Sequence, residues 1–428
     1  MKKELKIIAT LFIGLISFSA CSEKTSGLVA ANNIKKLGVE EKKLDRLDSL
    51  LATGLINNWM AGATALVAVD GKIVYEKGFG FRDREAKLLM STQDEFRIAS
   101  MTKPIVTAAA MTLIEQGKLN LNDPVSKYIP EFKDLKVLAS FDKKDTSYTT
   151  VNVKEPITIK NLMTHTSGIG YGFDEGKLAM IYAKNNIPSL AITDSVTIAD
   201  KVKILAKLPL GVQPNSSFYY GLNTDVLGAV IEIVSGKKLD AYVKETVLDP
   251  LGMNNTFFFI PQEKASRLAV MYKEVAGNRL ERLPLISNGY QVNFPITGAR
   301  TYFSGGSGLS ATIEDYAKFC QMILNQGSFG GKQILKPESV ELMTINQIGN
   351  LNVGKNKFGL GFEIATKEGL ANGAKVGKLS WGGAFNTTFW IDPERKSIAI
   401  LMTQVYPAIH KKELFSKFEQ LVNEALNR

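Results

Sequence analysis

The two ends of the chain carry the same pair of elements, an amphipathic helix and a β-hairpin, and this symmetry restricts the possible folds. Near the start, the β-rich runs of ATALVAVDGKIVYEKGFGF, residues 63–81, flank Asp70-Gly71, a dipeptide that strongly favours a hairpin turn. Near the end, residues 385–391 and 397–403 are again β-rich. The helices are indicated by two apolar stripes at helical spacing: Leu44, Leu47, Leu51 and Leu55, and then Leu414, Phe418, Leu421 and Ala425.

The simplest assembly of these four pieces is one antiparallel sheet with both terminal helices packed on one face. The middle of the chain, about residues 95–365, has the pattern of helices and loops without a repeat. We therefore predict an α/β fold of the α+β type, in which a large, mainly helical lobe is inserted at about 95–365 into a domain that spans residues 36–428. Such an insertion leaves a cleft between sheet and lobe, and clefts between lobes are common ligand sites.

The first residues have the features of a secretory signal. A lysine-bearing start precedes an apolar run, residues 7–16, which is too short to span a bilayer and fits a signal peptide at residues 1–20. The following FSAC resembles the lipobox of bacterial lipoproteins, with Phe18 in place of the commoner Leu. This resemblance implies that Cys21 is lipidated, that residues 21–35 form a tether, and that the exported protein is a periplasmic or cell-surface lipoprotein anchored in a bacterial membrane. An ordinary cleaved signal with an incidental cysteine is the alternative.

Composition argues against several classes of function. The chain has 428 residues, of which 45% are hydrophobic, so it can bury a substantial core. Its net charge is +10, but the basic residues are scattered among acidic ones without the stripe typical of nucleic-acid binding. Once Cys21 is lipidated, Cys320 has no disulfide partner, and His165 and His410 are too far apart in sequence to suggest a zinc-ligand cluster. We expect no cofactor and no metal, although sites made of carboxylates alone stay open.

A serine three residues before a lysine is the first candidate for catalytic chemistry. The pattern occurs at three places: Ser100/Lys103, Ser140/Lys143 and Ser235/Lys238. Ser140 lies in a polar stretch without a helix pattern, and Ser235 precedes Gly236 at the end of a helical pattern. Ser100 instead opens an apolar run in which Pro104 is tolerable only in the first turn of a helix.

A position at a helix start gives the pair Ser100 and Lys103 a chemical use. Residues three apart share one helix face, so Lys103 can reach the Ser100 hydroxyl. The helix N-terminus favours negative charge, and the N–H of Ser100 is one of the donors left there without a helical partner. Burial lowers the pKa of a lysine and makes it a usable base. The alternative is a serine that merely caps the helix beside a solvated lysine.

Five motifs in a fixed order connect this pair to a known superfamily. They are FRIASMTK around Ser100, LMTHTSGI at 162–169, FYYGLNTDVLG at 218–228, SGGSGLSATIEDYAKF at 304–319 and SWGGAFNTTFWIDP at 380–393. With them, the chain resembles the serine β-lactamase and penicillin-binding-protein superfamily, and within it class C β-lactamases, D-alanyl-D-alanine carboxypeptidases and family VIII carboxylesterases. The resemblance runs from about residue 40 to the end. It implies a β-lactamase/transpeptidase-like fold, with Ser100 as the nucleophile and Lys103 as a base.

The resemblance also implies a catalytic tyrosine. In FYYGLNTDVLG, the spacing to Asp225 selects Tyr220, which would act as general base and later protonate the leaving group. We expect the neighbouring Tyr219 to pack in the core. The asparagine of the commoner family motif would fall at Leu222, and Asn223 is one place off, so the usual side-chain contact to an acylamino group is in doubt.

The last motif places Trp381-Gly382-Gly383 where the family usually has Lys-Thr-Gly or His-x-Gly on a strand that lines the cleft. The glycines have no side chains, so the strand can approach a substrate closely. By the resemblance, the N–H groups of Ala384 and Ser100 form the oxyanion hole. A glycine bulge in a purely structural strand is the alternative.

His165 raises the question of a Ser–His–acid triad, but the chain has no Gly-x-Ser-x-Gly nucleophile elbow. It matches a family loop beside the site whose role is mainly structural, so we do not expect His165 to be the base. The glycine-rich segment 304–308 lacks the Gly-x-x-x-x-Gly-Lys pattern of a phosphate loop.

These features predict an exported serine hydrolase that forms an acyl-enzyme on Ser100 and acts on a small-molecule ester or amide, with small neutral esters preferred. The preference rests on Trp381, because an indole cannot meet a substrate carboxylate with charge as the family's usual Lys or His can. Arg300 or Lys375 could supply a cation from a neighbouring loop. Three alternatives stay open: a β-lactamase or D-alanyl-D-alanine carboxypeptidase, an aminopeptidase or transesterase of the superfamily, and a catalytically idle binding lipoprotein of the same fold. The sequence leaves the oligomeric state open.

Overall fold

The structure, a computed structural model, describes residues 27–172, 176–287 and 290–426. The predicted signal peptide, residues 1–20, the lipidation site Cys21 and the start of the predicted tether lie outside the described residues. Within the described ranges, no helix combines the length and the apolar character needed to cross a membrane.

The strands have two to twelve residues and the α-helices three to sixteen. The strands are β1 Val29–Ala30, β2 Gly62–Val69, β3 Lys72–Asp83, β4 Leu88–Leu89, β5 Phe96–Arg97, β6 Lys136–Phe141, β7 Tyr148–Asn152, β8 Thr256–Phe257, β9 Tyr272–Val275, β10 Arg279–Arg282, β11 Ile286–Ser287, β12 Tyr290–Gln291, β13 Ser310–Ala311, β14 Ser328–Phe329, β15 Lys332–Gln333, β16 Lys357–Phe358, β17 Glu363–Ile364, β18 Leu379–Gly383, β19 Thr387–Asp392 and β20 Ser397–Met402. The α-helices are α1 Glu41–Ile56, α2 Thr102–Glu115, α3 Ile159–Thr164, α4 Lys177–Lys184, α5 Ile198–Leu205, α6 Asn223–Ser235, α7 Leu239–Val243, α8 Asp249–Leu251, α9 Ile313–Leu324, α10 Pro337–Thr344 and α11 Lys411–Ala425.

The largest sheet joins both ends of the chain. Its strands follow the order β1-β3-β2-β20-β19-β18-β17-β16, with β4 paired to β3 beside this path. Apart from the two-residue β1, which runs parallel to β3, neighbouring strands are antiparallel. At the first hairpin turn, Asp70 and Gly71 have φ of 49° and 73°, left-handed values that the tight turn requires. The predicted hairpins and their union in one antiparallel sheet are confirmed.

The two faces of the sheet carry separate cores, because side chains alternate along a strand. On one face, Val67 of β2 packs in a cluster with Leu47 of α1 and Phe418 of α11. On the other face, Leu66 and Ala68 belong to the large core of the inserted lobe. A fully buried Val, Leu or Phe side chain of these clusters contributes about 1.5–3 kcal/mol to folding. The prediction that both terminal helices cover one face is confirmed.

The inserted lobe is built around helix α2, whose residues 102–113 are all buried. A helix that is apolar on every side must lie in the interior. The lobe contains more strand than the sequence indicates: β5, β13 and β8 form a small sheet, and four hairpins lie around it. Strands of two residues show no alternation that a sequence could reveal. The chain rejoins the large sheet at β16, and the predicted domain bounds stay a prediction.

Candidate active site

Ser100 lies between the large sheet and the lobe, in a short 3-10 turn, Ala99–Met101, that leads into α2. The residue before it, Ala99, has a φ of 42°, a left-handed value that costs a non-glycine residue about 1 kcal/mol or more. Packing holds this turn: the N–H of Leu309 donates a hydrogen bond to the Thr102 hydroxyl at 3.1 Å. Backbone strain that the surroundings enforce in this way is common at functional sites.

Lys103 is almost completely buried, with 1% of its surface exposed, directly beneath Ser100. Its Nζ atom lies 3.1 Å from the Ser100 Oγ atom, 2.9 Å from the Tyr171 hydroxyl and 2.7 Å from the carbonyl oxygen of Gly306. These three oxygens surround the nitrogen and hold it beside the Ser100 hydroxyl. The ring of Tyr220 covers the same nitrogen at 4.8 Å. The structure therefore brings the sequence-predicted pair and the predicted tyrosine together.

Tyr220 presents a hydroxyl that is buried but makes no well-formed hydrogen bond among the described residues. It nevertheless lies close enough to Tyr171 to help raise the pKa of that phenol. Its ring contacts Trp381 edge-on at 5.4 Å between centroids and His165 at 4.6 Å. Catalytic hydrogen bonds are often long or misaligned before substrate binds, so this hydroxyl has the position expected of a proton carrier.

Tyr171 is a site residue that the sequence argument missed. It lies in the GIGYG continuation of the Thr-His-Thr-Ser-Gly segment, two residues beyond the quoted motif, and that adjacency was the available signal. Burial first, and then the neighbouring Tyr220 and Asp225, raise the pKa of Tyr171 well above its usual value. The residue therefore remains a neutral phenol whose oxygen accepts a hydrogen bond from Lys103.

The glycine-rich segment 304–308 holds Lys103 through a hydrogen bond to the carbonyl of Gly306. Asp225, which is 3% exposed, accepts a hydrogen bond from the Ser304 hydroxyl at 2.6 Å. Burial raises the pKa of Asp225, while Ser304, Lys103 and the N–H of Gly306 favour its ionised form. The carbonyl of Gly306 in turn accepts from Lys103. The segment thus links the buried carboxylate to the lysine.

His165 and Asn223 form a structural pair behind the tyrosine. His165 ends α3 with a left-handed φ of 54°, and its Nδ1 atom lies 3.0 Å from the Asn223 side-chain nitrogen. Burial, with the charge of Lys103 as a smaller cause, holds the pKa of His165 well below its usual value. Asn223 is fully buried and also bonds to Ser167, so its amide does not face the cleft. Neither residue contacts Ser100 through a hydrogen bond.

Strand β18 brings Trp381, Gly382 and Gly383 alongside the Ser100 turn. A Cβ atom at Gly383 would lie 2.5 Å from the carbonyl oxygen of Ile98, so only glycine permits this approach. Ala384, which follows, packs in one apolar cluster with Ala99. The backbone N–H groups that were predicted to form the oxyanion hole therefore belong to two adjoining segments.

Trp381 is partly exposed and closes one side of the cleft. Its indole packs edge-on against Phe358 at 5.2 Å and against Tyr220 at 5.4 Å. The two cations considered as substitutes for a lysine here have other partners. Arg300 donates to the carbonyl oxygens of Ile260 and Ile296, and Lys375 pairs with Glu394 at 2.6 Å.

The remaining candidates lie elsewhere. Tyr219 points towards Gly170 and Gly211 and packs against the lobe core, as predicted for a structural residue. Ser140 bonds to Thr149 in an exposed hairpin, and Ser235 ends helix α6. Cys320 is a free thiol buried in α9. Within the described ranges, no group of three or more His, Cys, Asp or Glu side chains is arranged to hold a metal ion.

Known proteins are similar to this chain in both sequence and fold. The sequence model of the Beta-lactamase family matches residues 47–416. Protein Rv1367c of Mycobacterium tuberculosis is 32% identical over 364 residues, which cover 81% of this chain and 86% of that protein. Esterase EstB of Burkholderia gladioli is 30% identical over 378 residues, which cover 84% of this chain and 89% of EstB. The solved structure of EstCE1, a hydrolase with promiscuous acyltransferase activity, has a TM-score of 0.74 and 26% identity, with 91% of this chain and 99% of that chain covered.

Proposed function

This chain belongs to the Beta-lactamase family and is a serine hydrolase, and from that premise we propose that Ser100 is its nucleophile, that Lys103 and Tyr220 carry its protons, and that small neutral esters are its preferred substrates. The observation that carries this proposal is the buried Lys103, whose Nζ atom lies 3.1 Å from the Ser100 hydroxyl under the Tyr220 ring. A nucleophile beside a base that is itself oriented by further groups is the general signature of covalent catalysis.

The reaction follows from this arrangement. The Ser100 Oγ atom attacks the ester carbonyl carbon, and its proton passes to the pair of Lys103 and Tyr220. The carbonyl oxygen becomes an oxyanion and accepts hydrogen bonds from the N–H groups of Ser100 and Ala384. Tyr220 then protonates the alcohol as the C–O bond breaks, which leaves an acyl group on Ser100. Water attacks this acyl-enzyme by the same proton path and releases the acid.

The ester preference follows from the indole of Trp381. β-Lactams and D-Ala-terminated peptides carry a carboxylate near the scissile bond, and a neutral N–H binds such an anion about half as strongly as a charged donor does. The alternative cations Arg300 and Lys375 are engaged with backbone carbonyls and with Glu394, respectively. A neutral ester needs no cation and gains apolar contact with the partly exposed Trp381. EstB and EstCE1, named as esterase and hydrolase, are consistent with this choice.

The proposal includes export and lipid anchoring at Cys21. It is supported by the charged start, the short apolar run and the FSAC sequence, all of which precede the described residues. A lipid-anchored enzyme of this kind would meet small-molecule esters in the periplasm or at the cell surface.

A panel of substrates on the purified protein tests the function. p-Nitrophenyl acetate and butyrate, nitrocefin and a D-Ala-D-Ala peptide are compared by kcat/KM, and a fluorophosphonate probe reports the reactive serine by mass spectrometry. We expect the esters to be cleaved best and the probe to attach to Ser100. Ser100→Ala should lose both ester cleavage and probe labelling while its melting temperature stays unchanged. Ser140→Ala and Ser235→Ala should match the wild type.

Other results of the substrate panel would support one of the alternative functions. Higher kcat/KM for nitrocefin or the peptide would identify a β-lactamase or a carboxypeptidase. A wild-type protein that neither hydrolyses any substrate nor reacts with the probe would be a binding lipoprotein of the same fold.

A further inference from the structure

Lys411 is the first residue of helix α11, and its side chain reaches the strand that lies beside Ser100. Its Nζ atom donates a hydrogen bond to the carbonyl oxygen of Gly383 at 3.0 Å. The ring of Phe415, one turn further along the helix, lies 5.5 Å from the same nitrogen. In the described part of the chain no carboxylate forms an ion pair with Lys411, and burial lowers the pKa of its ammonium group.

This position is unfavourable for the stability of the fold. A cation at a helix N-terminus faces the positive end of the helix dipole, which is destabilising. Partial burial of this charge without an opposite charge adds to the cost. Glu413, in the same turn, bonds to Lys417 instead. The next residue, Lys412, is exposed and avoids the cost of burial. A residue that occupies such an electrostatically unfavourable position without a gain in stability suggests a functional role.

The acceptor of Lys411 identifies that role. The carbonyl of Gly383 and the N–H of Ala384 belong to one peptide group. Because a peptide group is planar and trans, its C=O and N–H bonds point in opposite directions. Lys411 therefore binds one end of the group while the other end points away from α11. Ala384 packs against the apolar cluster that contains Ala99, the residue before Ser100, and β18 contacts the Ser100 turn, so we infer that this other end lies on the side of the nucleophile.

We propose that Lys411 is a positioning residue of the oxyanion hole: it holds the Gly383–Ala384 peptide group in place and polarises it, so that the Ala384 N–H becomes a stronger donor. This inference rests on the function proposed above for Ser100 and Ala384. A positive charge at the carbonyl end draws electron density away from the N–H, and linked hydrogen bonds strengthen one another by roughly 10–30%. The fixed direction of the N–H also avoids reorganisation when the oxyanion forms.

The surroundings of Lys411 allow a clean substitution. A cavity of about 500 Å³ lies on the α11 side of the strand and is lined by Lys378, Ser380, Trp390, Lys411 and Phe415, among others. Methionine has nearly the length of lysine and fits among these apolar rings, but it has neither charge nor N–H. Arginine keeps the charge and the donors, and the cavity can take its larger head group.

The test measures how fast a fluorophosphonate probe modifies Ser100. In this step the serine oxygen forms a bond to phosphorus, fluoride leaves, the serine proton passes to the base, and the phosphoryl oxygen occupies the oxyanion hole. We expect Lys411→Met to lower the maximal rate of modification about tenfold with the probe's binding constant unchanged, since removal of a whole oxyanion donor costs roughly 10²–10³. Lys411→Arg should restore most of the rate. The matched control, Lys412→Met, should behave as the wild type.

Thermal unfolding separates a positioning role from a structural one. Lys411 is a partly buried cation at a helix N-terminus without an ion pair in the described part of the chain, so its removal should leave the melting temperature of Lys411→Met equal or higher while the rate of modification falls. A parallel loss of stability and rate, or an equal loss in Lys411→Arg, would show that Lys411 only supports the fold. A wild-type rate in Lys411→Met would overturn the inference and leave the proposed function intact. An unreactive wild-type Ser100 would instead contradict the proposed function. Lys411→Gln, which keeps a neutral donor, provides the same comparison if the methionine variant does not fold.

Discussion

The Nζ atom of Lys103 lies 2.9 Å from the hydroxyl oxygen of Tyr171, a residue 68 positions further along the chain. This contact helps to fix the direction of the lysine, together with a second bond to Gly306 and a third to Ser100. Tyr220 covers the same nitrogen with its ring, and its hydroxyl makes no well-formed hydrogen bond to any residue that the structure describes. In the proposed mechanism the two tyrosines therefore have different tasks: Tyr171 orients the lysine, and Tyr220 exchanges protons.

Substitution of the tyrosines tests this division. Tyr220→Phe should lower kcat for p-nitrophenyl butyrate by about 10²–10⁴, the usual contribution of a general base or acid. Lys103→Ala should have an effect of the same size, and the double variant should lose little more, because both residues serve one proton path. Tyr171→Phe should cost only about tenfold, since it removes an orienting acceptor. Steady-state kinetics on the four variants measures these ratios.

Tyr219→Phe is the matched control, since its ring packs against Gly170 and Gly211. A large loss in Tyr219→Phe together with an active Tyr220→Phe would place the proton carrier one residue earlier than proposed. A Tyr171→Phe variant as inactive as Tyr220→Phe would make Tyr171 the proton carrier itself.

Trp381→Lys should shift the preference among substrates. The new ammonium would lie beside Tyr220, where the carboxylate of a β-lactam can reach it. We expect the ratio of kcat/KM for nitrocefin to that for p-nitrophenyl butyrate to rise about tenfold or more, since a charged hydrogen bond contributes roughly 1.5–3 kcal/mol. Trp381→Leu, which removes the ring without adding charge, should lower ester cleavage and leave nitrocefin unimproved. An unchanged ratio in Trp381→Lys would disprove the charge argument.

Glu95 should make stability depend on pH. Its carboxylate oxygens are buried without hydrogen-bond partners among the described residues. Burial raises its pKa from 4.5 to about 7. The positive charges of Lys264 and Arg267 lower the pKa, but the negative charges of Asp315 and Asp94 oppose their effect. The folded state thus holds the proton more tightly than the unfolded state does. The stability from the neutral carboxyl is complete below pH 4.5 and is lost as the pH rises to about 7.

The variant Glu95→Gln keeps a neutral group at every pH. Its melting temperature should equal that of the wild type near pH 4 and exceed it at pH 8.5, by a few degrees or about 1–3 kcal/mol. Glu368→Gln, on an exposed turn, should show no such dependence. Scanning calorimetry at the two pH values measures the difference, and a difference that is the same at both would refute the titration of Glu95.

Cys21 should carry the lipid anchor. Labelled palmitate should attach to the full-length protein in a bacterial host that processes lipoproteins, and the protein should fractionate with membranes. Cys21→Ser should remain unlabelled and leave the membrane fraction, while Cys320→Ser, at the other cysteine of the chain, should stay labelled. An unlabelled, soluble wild-type protein would leave only an ordinary secretory signal.

The elements that the sequence could predict are those with a local cause. The turn at Asp70-Gly71 follows from residues that tolerate positive φ, and the leucine stripe of α1 follows from helical spacing. The approach of Lys103 to Ser100 likewise follows from a separation of three residues on a helix. Such features need no knowledge of distant parts of the chain.

The remaining features depend on contacts between distant segments. Tyr171 reaches Lys103 only because its loop packs on the buried helix α2, and nothing near Tyr171 in the sequence specifies that neighbour. Lys411 contacts Gly383 because α11 packs against the sheet, and its own surroundings in the sequence are those of any charged helix start. The two-residue strands of the lobe are equally hard to predict from the sequence, because strands this short form only by pairing with another strand.

The pairing of β2 with β20 has a consequence for the synthesis of the protein. Strand β2 is complete once residue 69 has left the ribosome, but its partner is made only when residues 397–402 emerge. Helix α1 likewise cannot pack beside α11, which covers the same face of the sheet, until the end of the chain has been made. Contacts so far apart in the chain form slowly, and until then β2 offers an open edge and an apolar surface. The large sheet of this protein therefore cannot be completed until translation is almost finished.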